Sequence, residues 1–157
     1  IAMMAAPSYN DAFVQEGFPL KPLFESGSMY SMAWVAPYEA DTAAHATMRA
    51  TFASMGLESA SSFLVAGWSS QYHLKGVLEA AVKGGDLTRA GIRRAAANVY
   101  VESDGMMQTR ELGQNRADND SYINIPDGSI GSGARLLAPG YVGPSAESYD
   151  WTSGPCA

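Results

Sequence analysis

The sequence predicts an α/β fold, and predicts that the chain holds only part of it. Up to residue 100, short apolar runs of strand character alternate with longer segments of helical period. After residue 100, glycine, aspartate, asparagine and serine dominate, and the short runs Tyr122-Ile123-Asn124-Ile125 and Arg135-Leu136-Leu137 read as extended structure between loops. Strand-helix alternation followed by a strand-rich tail argues for helices layered on a sheet. The third observation is the opening, Ile1-Ala2-Met3-Met4-Ala5-Ala6, which reads as a chain entered inside a strand. It has neither a basic leader nor a long apolar stretch, so it is not a signal peptide.

The elements follow in order. A strand is expected over residues 1–6, then a turn at Pro7-Ser8-Tyr9-Asn10-Asp11, because proline fixes φ while asparagine and aspartate bond their own backbone. A short helix is expected over residues 11–16, and Pro19 and Pro22 break regular structure after it. A second strand is expected over residues 29–35, closed by Pro37. Asp41 and Thr42 can cap a helix over residues 43–55, with Ala44, Met48, Phe52 and Met55 as its apolar line and Gly56 as its left-handed stop. Phe63-Leu64-Val65-Ala66 is too short and too uniformly apolar for periodicity to separate a buried strand from the front of a helix. A helix over residues 69–83 places Leu74, Val77, Leu78 and Ala81 on one face and ends at Gly84-Gly85. The next helix starts at the cap Thr88 and buries Ile92, Ala95, Ala96 and Val99.

The 157 residues amount to one domain's worth of chain, and at 46% hydrophobic and 17% charged they can bury a core. A net charge of −6 with no basic stripe argues against a nucleic-acid partner. No apolar run reaches the length a membrane span needs, so membrane insertion is not expected. The lone Cys156 excludes a disulfide within the chain; it is either an inert tail thiol or has its partner upstream.

Catalytic and metal chemistry finds little support, and no cofactor is expected. His45 and His73 lack ligand partners at metal-binding spacing and read as satisfied or surface histidines. Asp118-Asn119-Asp120 with Asp127-Gly128 lacks the oxygen spacing and closing glutamate of a calcium loop. Gly67-Trp68-Ser69-Ser70-Gln71 lacks the second glycine of a nucleophile elbow. The run Gly128-Ser129-Ile130-Gly131-Ser132-Gly133 precedes a strand, not a helix, and so reads as a flexible loop and not as a phosphate cradle. What remains is a set of aromatic and hydroxyl residues at element ends. Tyr9, Tyr38, Gly67, Trp68 and Ser69 are the candidate ligand contacts, since ligands of open α/β sheets sit beyond strand ends and an aromatic face beside hydroxyl donors suits a small polar molecule. The plainer alternative is that Trp68 packs in the core and the serines cap a helix.

Val65-Ala66-Gly67-Trp68, a long helix to Val82-Lys83-Gly84-Gly85-Asp86-Leu87-Thr88, a second helix through Ala95, then Asp104-Gly105 and Gly140-Tyr141-Val142-Gly143-Pro144 come in an order that resembles type I periplasmic solute-binding proteins, the branched-chain amino acid (Leu/Ile/Val-binding-like) kind of ABC-importer receptor. The resemblance covers about residues 28 to 149 and matches the C-terminal part of such receptors. It implies a periplasmic-binding-protein-like type I fold of two Rossmann-like lobes with ligand gripped between them, no catalysis, an amino acid-like ligand, an ABC permease as partner and a periplasmic location. It also implies that residues 1–36 belong to the second lobe, 37–106 complete the first, and 107–157 return to the second. It gives Trp68 the place of a cleft aromatic at a strand-to-helix junction. A ligand-sensing regulator of the same fold is the runner-up, and an α/β hydrolase using Ser69 with His45 or His73 comes third.

Overall fold

The computed structural model describes residues 2–5, 8–108, 110–111 and 120–149; Cys156, Asp118 and Asn119 lie outside them. It is a mixed α/β structure built on a four-stranded sheet of order β1-β2-β5-β6. Strand β1 (Ala2–Met4) runs parallel to β2 (Met29–Ala33), pairing Met3 with Tyr30. Strand β5 (Asp120–Pro126) runs antiparallel to β2, and β6 (Ala134–Val142) antiparallel to β5. Pro139 sits on the edge strand β6, where its missing N–H costs the sheet no bond, and the register shifts beside it.

Between β1 and β2 the expected helix over residues 11–16 is a 3-10 turn, Asp11–Val14, capped by the Asn10 side chain on the Ala12 N–H. Pro22 does not break structure; it opens the one-turn helix α1 (Lys21–Phe24), because a proline in a first turn forfeits no helical bond. These pieces gather one core: Tyr9, Val14, Phe24 and Ala134, with Phe13 stacked between Phe18 at 5.3 Å and Phe24 at 4.9 Å.

A second core lies among the helices. Helix α2 (Ala43–Ser54) starts at Thr42, whose hydroxyl accepts the His45 N–H. It buries Ala44, Met48 and Phe52 as their four-residue spacing predicts. Met55 is exposed, against expectation. The reason is the helix end: Gly56 takes a left-handed φ of 78°, its N–H reaches the Ala53 carbonyl, and the Leu57 N–H reaches back to Phe52. The chain turns away there before Met55 can face the core.

The ambiguous run at residues 63–66 resolves as helix. Helix α3 is continuous over Ser62–Lys83, so no strand ends at Gly67 and the strand-to-helix junction expected there is absent. Its buried positions are Val65, Ser69 and Ala81, and Gly76 sits close enough to the strand β3 (Tyr100–Val101) that a Cβ would lie 3.1 Å from Val101. Gly67 thus stands in a helix interior, at a cost of about 1 kcal/mol relative to alanine. Of the face expected to carry Leu74, Val77, Leu78 and Ala81, Ala81 is buried while Leu74 and Leu78 are exposed. Strand β3 pairs with β4 (Arg110–Glu111) in a separate ribbon.

Helix α4 (Arg89–Ala96) begins at Thr88, whose hydroxyl accepts the Gly91 N–H at 3.2 Å. Gly91 holds no acidic capping side chain because Asp86 does that work from outside the helix: its carboxylate accepts the Thr88 N–H at 2.9 Å and the Thr88 hydroxyl at 2.6 Å, and pairs with Arg94. A short helix, α5 (Pro144–Ser148), follows β6.

Asp86 packs so closely on Gly91 that a Cβ there would collide with its carbonyl and carboxylate. Gly91→Ala is therefore expected to lower stability by about 1–3 kcal/mol despite alanine's better helix propensity. Denaturant unfolding measures this; a stabilised variant would show that the Asp86 turn yields freely.

Candidate functional site

The two cores meet where the chain crosses from the sheet to the helices and back. The outgoing segment, residues 34–42, lies beside the returning residues 103–107: the Ala36 N–H donates to the Met106 carbonyl at 3.4 Å and the Ala44 N–H to the Asp104 carbonyl at 3.2 Å. Asp104 and Gly105 both take positive φ, 50° and 85°, and Gly105 approaches so near Thr42 that a Cβ would lie 2.9 Å from the threonine Cβ. Only glycine fits that second position.

Helix α2 grips the outgoing segment through two residues one turn apart. His45, fully buried, sets Nε2 3.3 Å from the Ala36 carbonyl and Nδ1 2.7 Å from the Thr42 hydroxyl. A carbonyl only accepts, so Nε2 carries the proton and Thr42 donates to Nδ1. Burial holds the His45 pKa below the ordinary histidine value, with the Arg49 charge adding to the effect and the Ala36 bond opposing it. Arg49 donates one guanidinium nitrogen to the Tyr38 carbonyl at 2.8 Å and the Ala40 carbonyl at 2.9 Å. His45 is thus the satisfied histidine that its sequence setting predicts.

On the sheet side, the loop joining β5 to β6 reaches the same junction. The Glu39 carboxylate accepts the Ser132 N–H at 3.1 Å and also the Ser132 hydroxyl. The Glu25 carboxylate accepts the Gly128 N–H at 2.8 Å; the Lys21 ammonium first, and this N–H second, hold its pKa below the usual carboxylate range. Two carboxylates therefore already occupy amides of the glycine-rich run, and a phosphate there would meet like charge. The run is a hairpin loop tied at both ends, not the flexible loop expected. Asp127, once a candidate calcium ligand, is bonded to Ser129 at 2.6 Å and to Arg135 at 3.3 Å.

A small, partly open cavity of about 40 Å³ lies at this junction, lined by Tyr9, Ser31, Tyr38, Ser62, Val65 and Asn124 among others. It has room for water but not for an amino acid. Tyr9 donates its hydroxyl to the Gly133 carbonyl, and burial, then Asp11, raise its pKa well above the usual tyrosine value, so it stays a donor. The Asn124 Oδ1 is buried without a hydrogen-bond partner among the described residues. Tyr38 stacks on Phe52 at 6.4 Å, and Phe52 meets Trp68 edge-on at 5.6 Å.

The structure thus brings Tyr9 and Tyr38 to one cavity and leaves the other three candidates along α3. Trp68 is half-buried behind Phe52, its Nε1 without a partner among the described residues, and its outer edge borders an open trough of about 620 Å³ with Tyr72, Leu74 and Leu78. Gly67 is exposed. The Ser69 hydroxyl is buried and donates to the Ala66 carbonyl of its own helix at 2.8 Å, so it is neither a helix cap nor paired with His45. Sequence reading missed Glu39, Arg49 and Asn124. Glu39 and Ser132 stand 93 residues apart and carry no local signal. Asn124 did carry one, a polar residue between two isoleucines of a strand.

No family model matches the sequence, and no curated protein matches it. Among solved structures, the fatty acid ABC transporter substrate-binding protein from Thermomonospora curvata matches with a TM-score of 0.75 at 22% identity, over 94% of this chain and 38% of that one. The likeness shows the fold, a partial periplasmic-binding-protein-like one; this chain spans 38% of the neighbour's length.

Two outcomes follow from the junction. Tyr9→Phe removes the buried hydroxyl that donates to the Gly133 carbonyl, which keeps the Asp127 N–H at 2.9 Å, and is expected to cost about 0.5–1.5 kcal/mol in denaturant unfolding; no change would mean the loop is held without it. The second concerns pH. The folded His45 pKa is depressed, so the unfolded chain takes up a proton near pH 6.5 before the folded chain does. Stability is complete above that pH and declines as the pH falls toward the folded-state value. Between about pH 7.5 and 5.5, above the carboxylate range, the unfolding midpoint is expected to drop, and to drop much less in His45→Gln. An equal slope in both proteins would place the effect elsewhere.

Proposed function

We propose that this chain forms part of the solute-binding receptor of an ABC importer and acts without chemistry, as one wall of a hinged trap. What supports the reading is the join between two separately packed cores: two side-by-side crossing segments with Tyr9 from the sheet and Tyr38 from the crossing facing one cavity. Residues 1–36 and 107–157 belong to one lobe and 37–106 to the other. Ligand bridging both lobes favours the closed form, which the permease recognises. Such a receptor works in the periplasm; among the described residues no helix is long and apolar enough to cross a membrane.

The ligand is an amino acid or similar polar solute; Tyr9 and Tyr38 stand at the junction where a facing wall would close on it, while Gly67, Trp68 and Ser69 lie along α3 outside that cavity. A second reading, an amphipathic acid, draws support from a specific observation. The junction's own charges, Glu39 and Arg49, are bonded to Ser132 and to backbone carbonyls, so neither is offered to the two charged ends of an amino acid. The neighbour's description as a fatty acid receptor is in line with that reading.

One wall of a trap gathers only part of the binding energy. Titration calorimetry of the 157-residue chain against a panel of amino acids and medium-chain fatty acids is expected to show weak binding or none. A dissociation constant of about 1 µM, roughly 8 kcal/mol of affinity, would overturn the proposal by showing a complete site within this chain.

A further inference from the structure

The Asn124 side chain is 4% exposed, and its Oδ1 has no hydrogen-bond partner among the described residues. It stands in β5 between two isoleucines and opposite Ser31 of β2, so the two polar side chains share one face of the sheet. Ser31 is buried as well. That face lines the small cavity at the junction, which Tyr38, Ser62 and Val65 line from the helical side. Buried polar groups are as a rule hydrogen-bonded, and an apolar side chain would fill this position without leaving an acceptor unmet.

Ser62 and Val65 belong to the first turn of α3. The helix makes its first backbone bond from the Val65 N–H to the Ser61 carbonyl at 3.2 Å, so the N–H groups ahead of Val65 need partners outside the helix. Thr42 and Thr88 cap α2 and α4 with their hydroxyls, whereas the Ser61 side chain caps nothing. The cavity thus has an unmet acceptor on one wall and the uncapped start of a helix on the other. Its occupant must both donate and accept. Ser132, on the same lining, holds the Glu39 carboxylate, so an anion would meet like charge. The positive end of a 22-residue helix disfavours a cation. A volume of about 40 Å³ excludes an organic solute. Water meets all three limits: it donates to the amide oxygen, accepts from the helix, and serves the amide in either orientation.

We propose that this cavity is a water site, in which one bound water donates to Asn124 Oδ1 and accepts from a first-turn N–H of α3, serving as that helix's cap and joining the sheet core to the helical core. The direct Glu39–Ser132 bond and this water-mediated one then tie the two cores side by side. The inference needs no solute and does not rest on the receptor reading.

A high-resolution crystal structure of the 157-residue chain tests this. It is expected to show one ordered water within about 3.2 Å of both Asn124 Oδ1 and a backbone N–H of residues 62–64. An empty cavity, a protein group swung onto the Asn124 amide, or an ion or precipitant molecule in that place overturns the proposal. So does a water that bonds Asn124 but nothing in α3. In crystals of Asn124→Leu the water is expected to be lost; a water kept at the same position shows that Asn124 does not hold it and overturns the proposal. Xenon-pressurised crystals of the unmutated chain give a reading that does not depend on the variant folding. A hydrated polar site is expected to exclude the gas, and xenon bound beside Asn124 marks a dry cavity and overturns the proposal.

Discussion

The architecture depends on the outgoing crossing segment, residues 34–42, being held from both sides. It is not strand: residues 38–39 form a turn in which the Ala40 N–H donates to the Pro37 carbonyl at 2.9 Å. The carbonyls of Ala36, Tyr38 and Ala40 all turn toward α2, where His45 takes the first and Arg49 the other two. His45 and Arg49 are four residues apart and therefore share a helix face. The Glu39 side chain, set between those carbonyls in sequence, reaches the sheet's hairpin loop instead and bonds Ser132. A single short segment thus ties both cores together, and the returning segment at Met106 lies alongside it.

Much of the fold was legible in local patterns. The α2 line of Ala44, Met48 and Phe52, its Thr42 cap and its Gly56 stop all follow from spacing and from the conformational freedom of glycine. So do β1, β2 and the approximate positions of β5 and β6. The misreadings have separate causes. At Pro22 the position within a helical turn decided the effect, and a pattern read residue by residue cannot supply it. At residues 62–68 a short apolar run suits a strand or a helix equally, and only its continuity through Gly67 into the longer helix settles the matter. Leu74 and Leu78 were placed with Ala81 on one helix face by correct periodicity, yet only Ala81 is buried; periodicity identifies a face but not what covers it.

The candidate site was less legible, for a physical reason. Tyr9 and Tyr38 could be singled out as aromatic residues at element ends, and they do share a cavity. Their neighbours Asn124 and Ser31 come from adjacent antiparallel strands and meet only through register, Ser31 opposite Asn124. Register is fixed by pairing across about ninety residues of chain, which no window of sequence contains. Ser69 shows the converse error: a hydroxyl beside an aromatic looked available, yet a serine inside a helix turns its hydroxyl back to the carbonyl three or four residues before it.

The junction's electrostatics also separate structural polar groups from those free to meet a ligand. Glu25 and Glu39 each neutralise backbone donors of the β5–β6 loop, Arg49 neutralises backbone acceptors, and His45 is kept uncharged by burial. Apart from the exposed Glu25–Gly128 bond, such groups are costly to redirect, because each would leave a buried or half-buried partner unsatisfied. They set the geometry of the crossing and are poor ligand clamps. Among the described residues of the junction and its aromatic row, the polar side-chain atoms left over are the Asn124 carbonyl oxygen, at the cavity, and the Trp68 indole N–H, beside Phe52. A site able to select a solute needs several converging polar groups. These two sit on different elements, β5 and α3, so the described residues offer aromatic surface and no converging polar clamp.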